Sequence, residues 1–278
     1  MASGAGTVRI GDLTVPRMGF GAMRLPGPGV WGPPADRDEA IRVVRRAVEL
    51  GVRVIDTAWY YGLDVANEII AEAIRPYPDD LVLVTKLGGA RATDGSWYPS
   101  VTAAGLRAGN ERDRRVLGLD TVPVTHLRWM SSHETTFDEA LDAILVLKSE
   151  GKIARLGLSN VTLPQLETAL ARTEIVTVSN HFGQSNQADA PILERCAAEG
   201  IAYLPYFPLG AGAGISDDRL AKVAEKHGCS PSQASIAWLL ARSPMILPIP
   251  GTSKVAHLDE NVAAASIELD ADDMALLS

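Results

Sequence analysis

An acid, a phenol and an amine stand in this 278-residue chain at positions that suit proton transfer. In Val54-Ile55-Asp56-Thr57-Ala58-Trp59-Tyr60-Tyr61-Gly62 an aspartate closes an apolar run, and Tyr61 follows five residues later. The next apolar run ends in Val84-Thr85-Lys86-Leu87-Gly88. Each group alone has a plain structural explanation: Asp56 caps a helix, Tyr61 packs under a loop, Lys86 is solvated. Together, at the ends of neighbouring strands, they make a general-acid system. A phenol with a pKa of about 10 is a poor donor at neutral pH. A nearby ammonium lowers that pKa, and a carboxylate holds the ammonium in place and charged. The expectation is therefore a Tyr61 phenol made more acidic by Lys86, with Asp56 behind it.

Such groups need strands to carry them. Short apolar runs suggest strands at 52–55, 81–85, 122–127, 153–158, 175–178, 201–204 and 246–249, with Met18–Ala22 as a first strand. Several runs are apolar on successive residues, as expected for strands covered on both faces. Between them lie helical repeats. In 37–50, Ile41, Val44 and Val48 recur at three- and four-residue spacing before Gly51, and 137–150 repeats the pattern before Gly151. Pro164 and Ser230-Pro231 open two further helices. Ahead of all this, Val8 and Ile10, a Gly11-Asp12 turn, and Leu13 to Val15 read as a β-hairpin.

Eight strand-then-helix units in a chain of this length favour a closed α/β (β/α)8 TIM barrel over an open doubly wound sheet. Residues 1–278 then form a single barrel domain, with no linker or composition shift to divide it. The weakly patterned stretches 24–36, 88–100 and 207–217 all follow strands. That places them on the C-terminal face, where barrel enzymes build their sites.

Composition excludes several classes. The net charge of -8 and pI near 5.2 leave no basic footprint for nucleic acid. Cys196 and Cys229 form no CxxC pair, and the five histidines show no metal-ligand spacing, so no metal is expected. The first residues lack a signal-peptide pattern, and no apolar run is long enough for a membrane span, so a soluble cytoplasmic protein is expected. Gly27-Pro-Gly29-Val-Trp-Gly32 matches GxGxxG, but Pro33-Pro34 follows and holds the chain extended. A Rossmann turn would instead run straight into a helix N-terminus. The stretch reads as a flexible active-site loop carrying Trp31.

These segments resemble the aldo-keto reductase family over nearly the whole chain. Met18-Gly-Phe-Gly21-Ala22-Met23 is similar to its first strand, Asp56-Thr-Ala-Trp-Tyr-Tyr61-Gly to its DTAxxYG motif, and Thr85-Lys86 to its lysine strand. The N-terminal hairpin resembles the one that closes the family's barrel bottom. The resemblance implies Tyr61 as proton donor tuned by Lys86 and Asp56, and NADPH as hydride source, bound near Gly21, Ala22, Met23 and Asp56. Gly157-Leu-Ser159-Asn160 resembles the GxSN segment at the nicotinamide carboxamide. Tyr206-Phe207-Pro208-Leu209-Gly210, followed by Gly212, resembles the segment whose tyrosine stacks on the nicotinamide. Gly251-Thr252-Ser253-Lys254, with His257, Glu260 and Asn261, resembles the adenosine-phosphate segment. Its turn opens a helix, so unpaired N–H groups and Lys254 should attract an anion and favour NADPH over NADH.

Three positions depart from the family pattern. Arg128 stands where a histidine is usual, with His126 two residues earlier on the same strand face. His126 itself reads best as a hydrogen-bonded core histidine. Ser179 stands where a glutamine usually contacts the carboxamide, and His257 where an arginine usually meets the 2′-phosphate. Arg128, with the loop 25–34, narrows the resemblance to a bacterial branch that includes pyridoxal reductases. Trp31, Trp59, Trp97 and Trp129 all fall at or just after strand ends, which suggests a flat aromatic pocket for a small-molecule carbonyl substrate. The chain ends soon after Leu269, so that pocket should be open. Reduction of an aldehyde or ketone, pyridoxal among the candidates, is the leading expectation. Non-redox acid–base catalysis on the same fold, or a non-catalytic nucleotide-sensing subunit, are the alternatives, and oligomeric state is not readable.

Overall fold

The computed structural model describes residues 1–206 and 217–277. The sequence-expected cofactor residues Phe207, Pro208, Leu209, Gly210 and Gly212 lie outside the described residues. The chain opens with an antiparallel hairpin of β1 (Thr7–Ile10) and β2 (Leu13–Pro16). Then come β3 (Phe20–Gly21), α1 (Arg37–Glu49), β4 (Val54–Asp56), α2 (Val65–Ile74) and β5 (Val82–Leu87). A second hairpin, β6 (Gly89–Arg91) with β7 (Trp97–Pro99), precedes α3 (Ala103–Leu117) and β8 (Val122–Arg128). The alternation continues through α4 (Phe137–Ser149), β9 (Ile153–Ser159), α5 (Leu163–Leu170), β10 (Thr177–Ser179), α6 (Ala190–Glu199) and β11 (Ala202–Tyr203). The helices α7 (Asp218–His227), α8 (Pro231–Arg242), α9 (Val255–Ala263) and α10 (Ala271–Leu276) complete the described chain.

Seven strands make one parallel sheet in the order β11-β10-β9-β8-β5-β4-β3. Residues 245–250 close it into a barrel. On one side Tyr203 N donates to Met245 O at 2.8 Å and Leu247 N to Tyr203 O at 2.9 Å. On the other, Gly19 N donates to Pro248 O at 2.9 Å and Gly21 N to Pro250 O at 3.4 Å. The eighth strand expected at 246–249 is thus in its place but is reduced to a bridge between Ile246 and Tyr203. Pro248 and Pro250 have no N–H to give, so the ladder cannot continue. Gly21 is required at this seam, because a Cβ there would lie 2.6 Å from Ile249 O.

Strand alternation sorts the side chains into two cores. Val54, Val82, Val84, Val124, Val176, Ala202, Leu204, Leu247 and Ile249 fill the lower barrel, and Val8, Ile10 and Val15 of the first hairpin pack into the same cluster. The hairpin therefore plugs the bottom, as expected. The larger cluster lies between sheet and helices. Helix starts follow the sequence signals: Thr136, Thr162 and Ser230 form capping boxes with Glu139, Gln165 and Gln233. Among the described residues no helix is long and apolar enough to cross a membrane.

Above the valines lies a polar layer in register: Lys86 beside His126, His126 beside Gly157, and Gly157 beside Thr177. His126 is fully buried and its Nε2 shares a hydrogen bond of 2.8 Å with Thr177 Oγ1. That bond spans β9, which is possible because Gly157 has no side chain. A Cβ at Gly157 would overlap both the Thr177 hydroxyl and the His126 ring. Gly157→Ala is therefore expected to destabilise the barrel by about 1–3 kcal/mol, as overpacking does. Thermal denaturation checks this, and a variant that melts with the parent contradicts it.

Candidate active site

Asp56, Arg128, Ser159 and Ser179 terminate β4, β8, β9 and β10, and Lys86 is the penultimate residue of β5. They therefore collect on the C-terminal face of the barrel. Tyr61 reaches the same place from the turn after β4, where its N–H donates to Ala58 O at 3.0 Å. Asp56 and Lys86 are each 3% exposed and Tyr61 is 7% exposed. Lys86 Nζ forms an ion pair with Asp56 Oδ1, and also donates to Thr57 O at 3.3 Å. The ammonium lies 5.0 Å from the centre of the Tyr61 ring. The acid, amine and phenol named from the sequence thus form one cluster.

Its electrostatics differ from the expectation. Burial pushes the Tyr61 phenol up, the Asp56 carboxylate adds to that, and Arg128 pulls the other way. The net direction is upward, not the lowering expected from Lys86 alone. Desolvation outweighs the cation because the whole cluster is buried. Tyr61 therefore keeps its proton at neutral pH until negative charge develops beside it, which suits a general acid. Burial also raises the Asp56 carboxyl, opposed by Lys86. His126 is driven well below its ordinary value by burial and then by Lys86, so it stays neutral.

Arg128 lies over Trp97, with its guanidinium carbon 5.7 Å from the ring centre. Its Nη1 is buried and has no hydrogen-bond partner among the described residues. No carboxylate pairs with it there either. Tyr60 Oη, a neighbour of Tyr61, is likewise buried and unpartnered.

The four tryptophans do not form one wall. Trp97 and Trp31 flank Arg91, whose guanidinium carbon is 4.2 Å and 5.3 Å from their ring centres. Trp59 packs instead on α3, below Arg112 at 4.7 Å, and its indole fills the space that a Cβ at Gly109 would need. Trp129 stands edge-on to Phe137 at 5.5 Å. Arg91 was missed by sequence reasoning. It donates to Gly29 O at 3.0 Å, Val30 O at 3.3 Å and Gly95 O at 2.8 Å. The loop 24–36 is thereby pinned to the β6–β7 hairpin. The stretch 88–100 carries the β6–β7 hairpin, which the sequence did not show because three-residue strands are too short to display a period.

Two places fit a dinucleotide. Ser179 Oγ is buried without a partner among the described residues, which fits a hydroxyl that meets a carboxamide. Close by, Tyr206 Oη donates to Asn160 Oδ1 at 3.3 Å, and Asn160 Nδ2 donates to Trp129 O at 2.7 Å. The Tyr206 ring stacks on His181, 5.7 Å between centres. The second place is a cavity of about 330 Å³ lined by Met23, Arg24, Ser253 and Lys254 among others. Thr252 and Asn261 are buried, whereas Ser253, Lys254, His257 and Glu260 face solvent. The helix start is less open than expected. Lys254 N donates to Thr252 Oγ1 at 3.1 Å, and Val255 N donates to Glu39 Oε1 at 3.0 Å. The cations Arg24 and Lys254 remain available to an anion.

Comparison with known proteins agrees with this geometry. Residues 17–278 match the model of the Aldo/keto reductase family. Pyridoxine 4-dehydrogenase of Escherichia coli (strain K12) is 44% identical over 268 residues, covering 95% of this chain and 94% of that protein. Methylglyoxal reductase DkgB of Escherichia coli O157:H7 is 28% identical, covering 94% and 91%. A crystal structure of an aldo-keto reductase from Klebsiella pneumoniae in complex with NADPH superposes with a TM-score of 0.82 at 28% identity, covering 98% and 93%. The chain belongs to the aldo/keto reductase family and is an oxidoreductase with the family's α/β barrel.

Tyr61→Phe keeps the ring and removes the transferable proton. It is expected to lower kcat for carbonyl reduction by about 10²- to 10⁴-fold while NADPH affinity, read by fluorescence titration, stays within about twofold. A variant with parental turnover at saturating substrate contradicts the assignment of Tyr61 as donor.

Proposed function

We propose that the protein reduces a small flat aldehyde bearing an anionic or strongly polar oxygen beside the carbonyl, using NADPH, and that pyridoxal is such a substrate. The observation that carries this reading is Arg128. A buried guanidinium nitrogen without a partner among the described residues is costly to leave unbonded and gains most when an oxygen meets it. Arginine stays protonated and offers several donors in a planar fork. One arm can meet the carbonyl oxygen as charge develops on it, and another the neighbouring oxygen. The phenolic oxygen of pyridoxal neighbours its aldehyde in this way. The relative at 44% identity, named a pyridoxine 4-dehydrogenase, supports the same substrate class.

NADPH, when bound, supplies the hydride to the carbonyl carbon. Ser179, Asn160 and Tyr206 would hold its nicotinamide end. Arg24, Ser253 and Lys254 would meet its phosphates, and His257, Glu260 and Asn261 its adenosine. Tyr61 gives its proton to the carbonyl oxygen, and the developing negative charge is drawn to Arg128 and to the Lys86 ammonium. Asp56 keeps Lys86 within reach of the phenol. Trp97 and Trp31, clasped by Arg91, offer flat faces to an aromatic ring. Residues 1–278 act as one barrel domain in this reading, in the cytoplasm.

The test compares pyridoxal with benzaldehyde in the parent and in Arg128→Met. The expected result is a loss of kcat/KM for pyridoxal about tenfold or more greater than that for benzaldehyde, in line with a charged hydrogen bond of roughly 1.5–3 kcal/mol. Equal losses would reduce Arg128 to a general oxyanion contact, and no loss for either would remove it from the site.

A further inference from the structure

The outer faces of the three strands that carry Asp56, Lys86 and His126 are polar where a sheet–helix interface is ordinarily apolar. Thr57 follows Asp56, Thr85 precedes Lys86 and Thr125 precedes His126. All three threonines are fully buried. Because side chains alternate along a strand, Thr85 and Thr125 point away from the barrel interior. The Thr85 and Thr125 hydroxyls are 3.4 Å apart. Facing them are Asn67 on α2, and Asn110 and Asp113 one turn apart on α3, all fully buried.

A directed hydrogen-bond chain runs through this layer. Asp113 Oδ1 accepts from Asn67 Nδ2 at 2.7 Å, and Asn67 Oδ1 accepts from Thr57 Oγ1 at 2.7 Å. Thr57 N donates to Val84 O at 2.8 Å, and Thr57 O accepts from Lys86 Nζ. Thr57 is thus held by its side chain from outside the sheet, while its carbonyl steers the ammonium inside it. The Thr85 hydroxyl also faces the Asp113 carboxyl, and both polar atoms of Asn110 have no partner among the described residues. An apolar packing of the same shape would avoid that cost, so the layer is not explained by stability.

We propose that Asp113 is a positioning residue for the reacting centre: its carboxylate anchors Asn67 and Thr57, and through the Thr57 carbonyl it sets where the Lys86 ammonium stands relative to Asp56 and Tyr61. This rests on the reading of Tyr61, Lys86 and Asp56 as that centre. The electrostatics agree. Burial lifts the Asp113 carboxyl to about 7, with the Asn67 and Thr85 hydrogen bonds opposing, Asp64 adding and Lys86 opposing. The charged groups facing Asp113 are Asp64, paired with Arg112 at 2.7 Å, and Lys86 across β5. Asn67, Asn110 and Thr85 are neutral. Above about pH 7 the ionised carboxylate grips the Asn67 amide in a charge-assisted bond, and below it the grip weakens.

Three variants test this, with Tyr61→Phe as a control in the same assay. Asp113→Ala removes the acceptor and should lower kcat about tenfold or more, the scale of a small misplacement of a reacting group. NADPH affinity should stay within about twofold. Asp113→Asn keeps an acceptor but no charge. It should recover most of kcat near neutral pH yet lose the limb of kcat/KM that rises through about pH 7 in the parent. Thr57→Val cuts the chain with Asp113 in place and should match Asp113→Ala, which keeps the test decisive if the latter does not fold. A folded Asp113→Ala or Thr57→Val enzyme with parental kcat, or Asp113→Asn with the parental pH profile, overturns the proposal while an inactive Tyr61→Phe leaves the centre standing. An active Tyr61→Phe overturns both.

Discussion

Lys86 and Asp56 are two opposite charges held almost entirely out of water, and the rest of the architecture depends on that pair. Bringing both ions out of solvent costs several kcal/mol each before their attraction and hydrogen bonds offset it. The offset needs close contact, which the parallel ends of β4 and β5 supply, and further donors and acceptors, which include the Thr57 carbonyl. Below the pair, His126 stays neutral and its Nε2 bonds Thr177, so it adds no positive charge beneath Lys86. Below that, the valine layer and the N-terminal hairpin fill the interior. The phenol of Tyr61 stands above these layers, on the C-terminal face.

The loops around that face extend the same logic outward. Arg91 binds three carbonyls and is stacked between two indoles, so the loop 24–36 and the β6–β7 hairpin behave as one wall. Trp97 belongs to this wall and also covers Arg128. A cation with an unsatisfied nitrogen beside a buried ion pair raises the local preference for negative charge. In the proposed reading, substrate choice and proton transfer draw on the same electrostatic feature, and a change at Arg128 should alter both.

Much of this was legible in the chain because the informative residues end strands. Asp56, Lys86 and Arg128 each lie at or beside the C-terminal end of a strand, so their common face followed from parallel topology. The hairpin plug and the helix starts at Pro164 and Ser230-Pro231 were legible from turn and cap residues whose chemistry is local. Other features depend on contacts between segments distant in sequence. Nothing near 246–249 shows that it seals the barrel with so few bonds, although Pro248 and Pro250 hint at it. Trp59 and Trp129 sit after strand ends as Trp97 does, but Gly109 and Phe137 draw them away. The direction of the Tyr61 shift was misjudged because burial, unlike the neighbouring charges, cannot be counted from motif spacing. The Asp113 chain joins α3, α2 and the β4 end, and no motif announces it.

The central claim is that the buried Lys86 ammonium, held by Asp56, is what makes Tyr61 an effective acid. Single-turnover reduction of pyridoxal by Lys86→Met, preloaded with NADPH, tests it directly, because the rate then excludes binding and release. The account predicts a fall of about 10²- to 10⁴-fold in that rate with the cofactor still bound and Tyr61 intact. A single-turnover rate equal to that of the parent would contradict it.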